Sequence, residues 1–336
     1  MRVLSVAFSE IPVGTAAAAG AEQVLSMLDA GLVERGHESV VIAAAGSKAH
    51  GELSESSCHR AAIDQVLARG SFDLIHFHGL DFPRYLPETH IPMLATLHLP
   101  ACFYPEGLIA DCRLRGVALN CVSRSQADSS PLLCALPVIG NGIPTQALVP
   151  GEPGEYILWL GRICPEKGTH VALEAARRLD LPLVAAGPVH FYEAHQQYFA
   201  ERVEPLLDEK RRYTGPVEAE RKRDLLSHAH CLLVTSFVAE TSSLVGMEAL
   251  SCGTPVVAFR RGALPEIVDH GETGFVVDSM DEMCEAIGRV GQLSRGLCRQ
   301  RAVERFDSIR MIEDYLALYR RIINAPPRPD RADQTR

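Results

Sequence analysis

Two glutamates eight residues apart, Glu240 and Glu248, lie in the stretch Ala239-Glu240-Thr241-Ser242-Ser243-Leu244-Val245-Gly246-Met247-Glu248. The apolar run at 232–234 reads as a buried strand, and 245–250 reads as the first turns of a helix. The first carboxylate then stands at the carboxyl end of a strand, and the second rides on the helix that follows. Thr241, Ser242 and Ser243 can cap that helix, and the free N–H groups at its start, around Ser243, Leu244 and Val245, suit an anion. A carboxylate accepts several hydrogen bonds, so each glutamate can grip a pair of neighbouring hydroxyls. One strand-loop-helix unit thus offers grips for a phosphate and for a sugar on either side of it, which is what holding a nucleotide sugar requires.

A second cluster, Gly161-Arg162-Ile163-Cys164-Pro165-Glu166-Lys167-Gly168, follows the strand expected over 156–160. Arg162 supplies a fork of donors and Lys167 a compact charge, and two such cations converging on one point suit a pyrophosphate. Taken singly, each reads equally as a solvated cation on a turn. Their position at a strand's carboxyl end, like that of Glu240, favours the phosphate clamp. In the first half, 16–22 is a run of small residues between a strand and a helix, open enough for backbone N–H groups to approach a phosphate, or simply the start of the helix. His98 follows the strand expected over 93–97, where it can meet a sugar hydroxyl or play a structural part. His76 with His78 and His228 with His230 lack partners at metal-site spacing, so structural roles are expected for both pairs.

These residues need a frame. In the first half, strands over 3–8, 39–43, 74–77, 93–97 and 117–122 alternate with helices over 23–35 and 63–68. In the second, strands over 156–160, 183–186, 231–235, 256–259 and 274–277 alternate with helices over 170–179, 193–207, 219–227 and 244–252. Helices over 280–292 and 309–322 close the chain. Such alternation implies an α/β architecture with parallel sheets covered by helices. Pro144, Pro150, Gly151, Pro153 and Gly154 mark the domain boundary. The reading is an N-terminal, acceptor-side domain over 1–145, a linker over 146–155, a nucleotide-sugar domain over 156–324 and a fraying tail over 325–336. The last helix is a candidate to pack back on the first domain. Ligands of such sheets bind beyond the carboxyl ends of strands.

The chain has 336 residues, of which 47% are hydrophobic and 22% charged, with a net charge of −9. A general nucleic-acid binder is thereby disfavoured. Ten cysteines without Cys-x-x-Cys pairs point to buried thiols in a reducing cytosol rather than to a disulfide frame or a zinc site. No apolar run approaches the length of a membrane span. The glycine-rich fingerprint of dinucleotide dehydrogenases, the P-loop and the nucleophile elbow are absent. So is an Asp-x-Asp pair that would hold a divalent metal beside a nucleotide sugar.

Taken together, the chain resembles the retaining glycosyltransferases of family 4, whose GT-B fold has two Rossmann-like doubly wound domains facing across a cleft. Glu240 and Glu248 resemble that family's Glu-x7-Glu element, and Gly161, Arg162, Glu166, Lys167 and Gly168 resemble its phosphate clamp. Cys252-Gly253-Thr254-Pro255-Val256-Val257, Pro265-Glu266-Ile267-Val268 and Gly271-Glu272-Thr273-Gly274-Phe275 resemble its later signatures. Asn141-Gly142-Ile143 resembles the turn closing its first domain. Gly20-Ala21-Glu22 resembles its glycine loop, and Leu97-His98 its strand-end histidine. The chain departs from the pattern at Ala19, where the family often has a first glycine, and at Ser242 and Ser243, which replace an aromatic-glycine pair.

The resemblance implies that Glu240 holds hydroxyls of the transferred sugar and Glu248 the ribose diol. Arg162 and Lys167 would bind the diphosphate, Gly20 would press on it, and His98 would face the sugar. It implies a metal-independent transfer with retained configuration from a nucleoside diphosphate sugar to a glycan, lipid-linked or small-molecule acceptor, with no cofactor. Phe82, Tyr85, Phe103 and Tyr104 are candidates for stacking on the acceptor. The expected location is the cytoplasm, with peripheral contact at the inner face of the membrane an option. The competing readings are a non-catalytic nucleotide-sugar or glycan-binding subunit on the same fold, and an epimerase or phosphorylase.

Overall fold

The structure, a computed structural model, describes residues 1–14 and 19–325. Residues 16–18 of the small-residue loop and the tail beyond 325 lie outside the described residues. The chain divides into two compact units. One comprises Met1–Val122, Ser129–Ile139 and the segment from Ile309 on, and the other comprises Ser123–Asp128 and Gly140–Ser308.

In chain order the first half carries β1 (Arg2–Val6), α1 (Gly20–Glu34), β2 (Glu38–Ala43), β3 (Glu52–Glu55), α2 (His59–Ala68), β4 (Leu74–Phe77), β5 (Met93–Leu97), α3 (Leu108–Leu114), β6 (Val117–Cys121) and α4 (Arg124–Asp128). The second half begins with β7 (Ile157–Leu160), α5 (Thr169–Arg178), β8 (Leu183–Ala186), α6 (Glu193–Tyr198), β9 (Arg211–Tyr213), α7 (Ala219–His228) and β10 (Cys231–Val234). It continues with α8 (Leu244–Ser251), β11 (Val256–Phe259), α9 (Leu264–Ile267), β12 (Gly274–Val277), α10 (Met280–Arg289), α11 (Arg295–Phe306) and α12 (Ser308–Ile323).

Each unit holds one six-stranded sheet, ordered β3-β2-β1-β4-β5-β6 in the first and β12-β11-β10-β7-β8-β9 in the second. All the pairings within both sheets are parallel. Numbered from the first strand of each unit, both follow the doubly wound order in which the chain reverses direction beside its first strand. The expected pair of doubly wound parallel-sheet units is borne out. The reversal lies between β1 and β4 in one sheet and between β7 and β10 in the other.

Period-two alternation assigns the residues of the second sheet to two cores. Ile157, Trp159, Cys231, Leu233 and Val257 face a core completed by Val171, Ala172, Ala175 and Ala176 of α5 and by Met283, Ala286 and Ile287 of α10. Leu158, Leu232, Val234, Val256 and Ala258 face the opposite core, closed by Leu225 and Leu226 of α7, Met247 and Leu250 of α8, and Cys298, Ala302 and Phe306 of α11. A strand apolar on both faces can survive only between two helical layers. No helix among the described residues is long and apolar enough to cross a membrane.

The core of the first unit includes a chain of polar groups. His76 on β4 meets the Tyr319 hydroxyl through Nδ1 at 2.8 Å and Thr96 Oγ1 through Nε2 at 2.8 Å. Thr96 donates to Asn120 Oδ1 at 2.7 Å, with the Tyr315 hydroxyl at 3.1 Å. His78 stands two residues along, its ring centroid 3.9 Å from that of His76. Burial, and then repulsion from His98 at His76 and from His76 and His98 at His78, hold both imidazoles well below the ordinary 6.5, so both are neutral.

Neutral buried histidines make folding sensitive to acid. Below pH 6.5 the unfolded chain takes up protons at His76 and His78 that the folded chain refuses, so stability present above pH 6.5 is lost as pH falls. Glu22 acts in the opposite sense. Burial pushes its carboxyl up to about 7, so the folded state holds a proton there that the unfolded state releases above 4.5. Two groups outweigh one, and each contributes about 1.4 kcal/mol per pH unit where fully engaged. Urea denaturation is therefore expected to show unfolding free energy falling by about 1 kcal/mol or more between pH 6 and pH 5. A flat or rising profile over that interval would contradict the neutral-histidine core.

Candidate functional site

The loops that leave β7 and β10 carry most of the residues singled out above, and both lie in the second unit. Between two strands whose crossovers depart in opposite directions no helix covers the strand ends, and the loops there are free to face a ligand.

The first loop is tied down on both sides. Gly161 N donates to Ala186 O at 3.0 Å and Ile163 N to Pro188 O at 2.9 Å, which binds it to the chain leaving β8. On the other side, Phe237 N donates to Glu166 O at 2.9 Å. Thr235 accepts from Trp159 Nε1 at 3.0 Å and donates to the carbonyl of Gly168 at 2.9 Å, with that of Lys167 at 3.0 Å. Gly168 has φ of +68°, and a Cβ there would lie 2.4 Å from Thr235 O. Only glycine allows the backbone to turn left-handed and approach so closely.

Within this frame Lys167 and Glu240 meet. Lys167 Nζ lies 2.5 Å from Glu240 Oε1, and the Ser236 hydroxyl donates to the same oxygen. The backbone of Glu240 is fixed from behind, because Ala263 N donates to its carbonyl at 2.7 Å. Gly262, with φ of +56°, packs so closely that a Cβ would fall 2.1 Å from that carbonyl oxygen. Arg162 turns instead toward Glu166, Nη2 to Oε1, at 3.4 Å. Burial acts to raise the Glu166 carboxyl, but the hydrogen bond from its own backbone amide, the Cys164 thiol and the charges of Arg162 and His195 together hold it below the usual range. The two clamp cations thus lie five residues apart on one loop, each against a carboxylate.

Helix α8 begins at Leu244, and Ser243 is its N-cap, accepting from Gly246 N at 3.3 Å. Such a cap stabilises a helix by about 1 kcal/mol. Of the three hydroxyl residues named before the helix, Ser243 fills this position. Leu244 and Val245 form the first turn, and Glu248 follows one turn later. Glu248 is 5% exposed and pairs through Oε1 with Lys222 Nζ of α7 at 2.6 Å. Its other oxygen, Oε2, is buried and has no hydrogen-bond partner among the described residues. A desolvated carboxylate oxygen without a donor is costly, and it marks a place where a hydroxyl would be welcome.

Gly20 and His98 belong to the first unit. Gly20 is the first residue of α1 and is exposed. His98 follows β5 at the carboxyl end expected for it, with Nε2 3.1 Å from His78 Nδ1 and the two rings stacked. It keeps a partly exposed edge, yet burial pushes its imidazole down to about 4. Of the aromatics considered for stacking, Phe82 and Tyr85 are buried, whereas Phe103 is 51% exposed.

Residues 154–292 match the family model described as "Glycosyl transferases group 1". This stretch is similar to group 1 glycosyl transferase domains. The D-inositol 3-phosphate glycosyltransferase of Corynebacterium efficiens is 34% identical over 149 residues, covering 42% of this chain and 33% of its own length. The chain thus spans well under two thirds of that relative. AviGT4, a glycosyltransferase involved in avilamycin A biosynthesis, superposes with a TM-score of 0.76 at 23% identity over 97% of this chain and 99% of its own. Anabaena Alr3699/HepE, solved with UDP and glucose, superposes with a TM-score of 0.76 at 17% identity over 95% and 99%. The fold is therefore that of the GT-B glycosyltransferases, as the sequence resemblance implied.

Several residues of the matched stretch that shape this site carry no obvious sequence signal. Lys222 comes 26 positions before Glu248 on another helix. Ser236 and Gly262 act through geometry that only the fold supplies. The positive φ of Gly262 and its contact with Glu240 make it a sensitive test. Gly262→Ala is expected to lower stability by at least about 2 kcal/mol, from left-handed strain and overpacking, and to displace Glu240. Gly288→Ala in α10, where a Cβ meets nothing within 4 Å, serves as the control and should be neutral or slightly stabilising. Thermal denaturation of the two variants side by side checks this, and equal melting temperatures would contradict the packing described.

Proposed function

We propose that this chain is a retaining glycosyltransferase that moves a sugar from a nucleoside diphosphate sugar to an acceptor hydroxyl. The observation that carries the reading is the meeting of Lys167 and Glu240 at the reversal point of the second sheet, eight residues ahead of the buried, half-paired Glu248. A carboxylate for sugar hydroxyls, a cation for the diphosphate and a second carboxylate for a ribose diol are the grips that a nucleotide sugar would need.

In this reading the diphosphate draws Lys167 partly away from Glu240 and engages Arg162. The first-turn N–H groups at Leu244 and Val245 add the positive end of α8. As the glycosidic bond breaks, negative charge grows on the leaving diphosphate, and these fixed donors stabilise it without reorganising. Glu240, released from Lys167, orients hydroxyls of the transferred sugar, and Glu248 Oε2 accepts from the ribose. The acceptor approaches the same face of the sugar that the diphosphate leaves, and a diphosphate oxygen takes the acceptor's proton. No pair of carboxylates need flank the bond, unlike in glycoside hydrolysis, and no metal is assigned to the transfer step. Gly20 and His98 of the first unit are proposed to contact the donor, and His98, neutral at physiological pH, does so as a polar group rather than as a cation. The solved relative bound to UDP and glucose supports a uridine donor as the first to try. The acceptor class and the place of action in the cell, proposed as cytoplasmic, rest on the resemblance.

The chain contains a single tryptophan, Trp159, hydrogen-bonded to the hydroxyl that ties the Lys167 loop. Its fluorescence should report nucleoside diphosphate binding directly. The matching diphosphate, at about a hundredfold its dissociation constant, should also add about 2.7 kcal/mol of stability in a thermal-shift screen. Lys167→Ala and Glu240→Gln are each expected to lower donor turnover roughly tenfold to a thousandfold with the fold intact. Full turnover in either variant removes the assigned roles. Tight diphosphate binding with no turnover of any donor would instead favour a binding subunit.

A further inference from the structure

Cys164, Glu166 and His195 place one ligand atom each so that all three lie within 4.8 Å of one another. They come from two elements. Cys164 and Glu166 lie on the loop after β7, and His195 lies on the short helix α6. A thiol, a carboxylate and an imidazole form the mixed sulfur, oxygen and nitrogen donor set that suits zinc. Tetrahedral zinc, with bonds of about 2.0 to 2.3 Å, sets its ligand atoms roughly 3.5 Å apart. The set therefore needs side-chain movements of about an ångström.

The groups already touch one another and their loop. The Cys164 thiol lies against the Glu166 carboxylate and 3.5 Å from Arg162 O, and Glu166 Oε1 lies 3.4 Å from Arg162 Nη2. His195 Nδ1 is buried and has no hydrogen-bond partner among the described residues. A buried imidazole nitrogen without a partner is unusual and calls for a physical reason.

We propose that Cys164, Glu166 and His195 bind a zinc ion, leaving a fourth position open beside the loop that carries Arg162 and Lys167. On binding, the thiol loses one proton to solvent, and the thiolate and carboxylate balance the ion's two charges. Glu166, once committed to the metal, releases Arg162 Nη2. The site shares its loop with the proposed phosphate clamp, but metal binding itself does not require the transfer reading and is measured apart from it. The usual cysteine-pair spacing does not announce it, because the third ligand arrives 29 positions after Glu166 on a different element.

Cobalt(II) reports the site directly, because thiolate ligation gives a sulfur-to-cobalt charge-transfer band. The full chain, titrated with cobalt chloride, is expected to develop that band at one equivalent and to lose it on addition of zinc chloride. Cys164→Ser should abolish the band. His195→Ala and Glu166→Gln should each weaken cobalt affinity at least tenfold. Cys134→Ser, at an exposed thiol, should change nothing. Because Cys164 is buried, circular dichroism must confirm that its variant folds. If it does not, the partly exposed His195 and Glu166 positions decide the matter. Absence of the band in the wild type, its survival in folded Cys164→Ser, its loss in Cys134→Ser, or unchanged affinity in both His195→Ala and Glu166→Gln overturns the proposal.

Discussion

Adjacent parallel strands whose crossovers leave in opposite directions cannot have the space beyond their carboxyl ends filled by their own helices. The second unit depends on this constraint at β7 and β10. The gap must be closed by loops, and loops carry backbone groups that need partners. The Thr235 hydroxyl answers for the Gly168 carbonyl while receiving the indole N–H of Trp159. It joins strand, first loop and second loop through one atom. The Lys167–Glu240 contact is possible because that knot brings the two loops together.

The charges at the site follow from the same closeness. Four ionic side chains at the loop ends and on α7 and α8, namely Lys167, Glu240, Lys222 and Glu248, resolve into two opposite-charge pairs. None of the four is more than a third exposed, so each would be expensive to leave alone. Pairing makes the apo state tolerable, yet it does not saturate the donors and acceptors. Lysine offers three N–H groups, and Glu248 keeps an oxygen without a donor. A polar ligand can therefore enter by exchanging partners rather than by meeting bare charges. The glycines at 168 and 262 permit this crowding, since each occupies a left-handed position where a Cβ would strike a carbonyl oxygen of the opposing loop.

The buried strands were legible because a strand covered on both faces must be almost wholly apolar, as β7 and β10 are. Two of the four edge strands, β3 and β9, were not. β3 reads Glu-Leu-Ser-Glu and β9 Arg-Arg-Tyr, because an edge is partly solvated and needs no apolar run. The helix expected over 193–207 is observed as α6 followed by a wide π turn and a 3-10 turn containing Pro205. A proline deletes one ladder hydrogen bond and crowds the carbonyl four residues earlier, so the helix cannot continue in regular form. Helix α11 escaped notice because its buried stripe is Cys298, Ala302 and Phe306, none of them aliphatic in the Leu, Ile, Val sense and all set among arginines. At the site, Glu240, Glu248, Arg162 and Lys167 were legible from type and position. Lys222 was not, since pairing across elements leaves no local pattern, and Ser236 was not, since the turn that brings it onto Glu240 is set by the fold.

The first unit repeats the same strand order with different chemistry at its strand ends. The loop leaving β4 begins at His78, and His98 follows the neighbouring β5, with ring nitrogens 3.1 Å apart. Both imidazoles are neutral near pH 7, so one nitrogen of the contact must carry the proton and the other must accept it. His78 Nε2 is buried without a partner among the described residues. If His78 accepted from His98, its own proton would sit on that nitrogen as a buried, unused donor. If His78 donates instead, the partnerless nitrogen is a bare lone pair. An unmet buried N–H is rarer in proteins than an unmet acceptor, so the second arrangement is favoured. It places the His98 proton on Nδ1. The histidine that the sequence marked for its position at a strand end is thus oriented by a neighbour that the sequence left as structural.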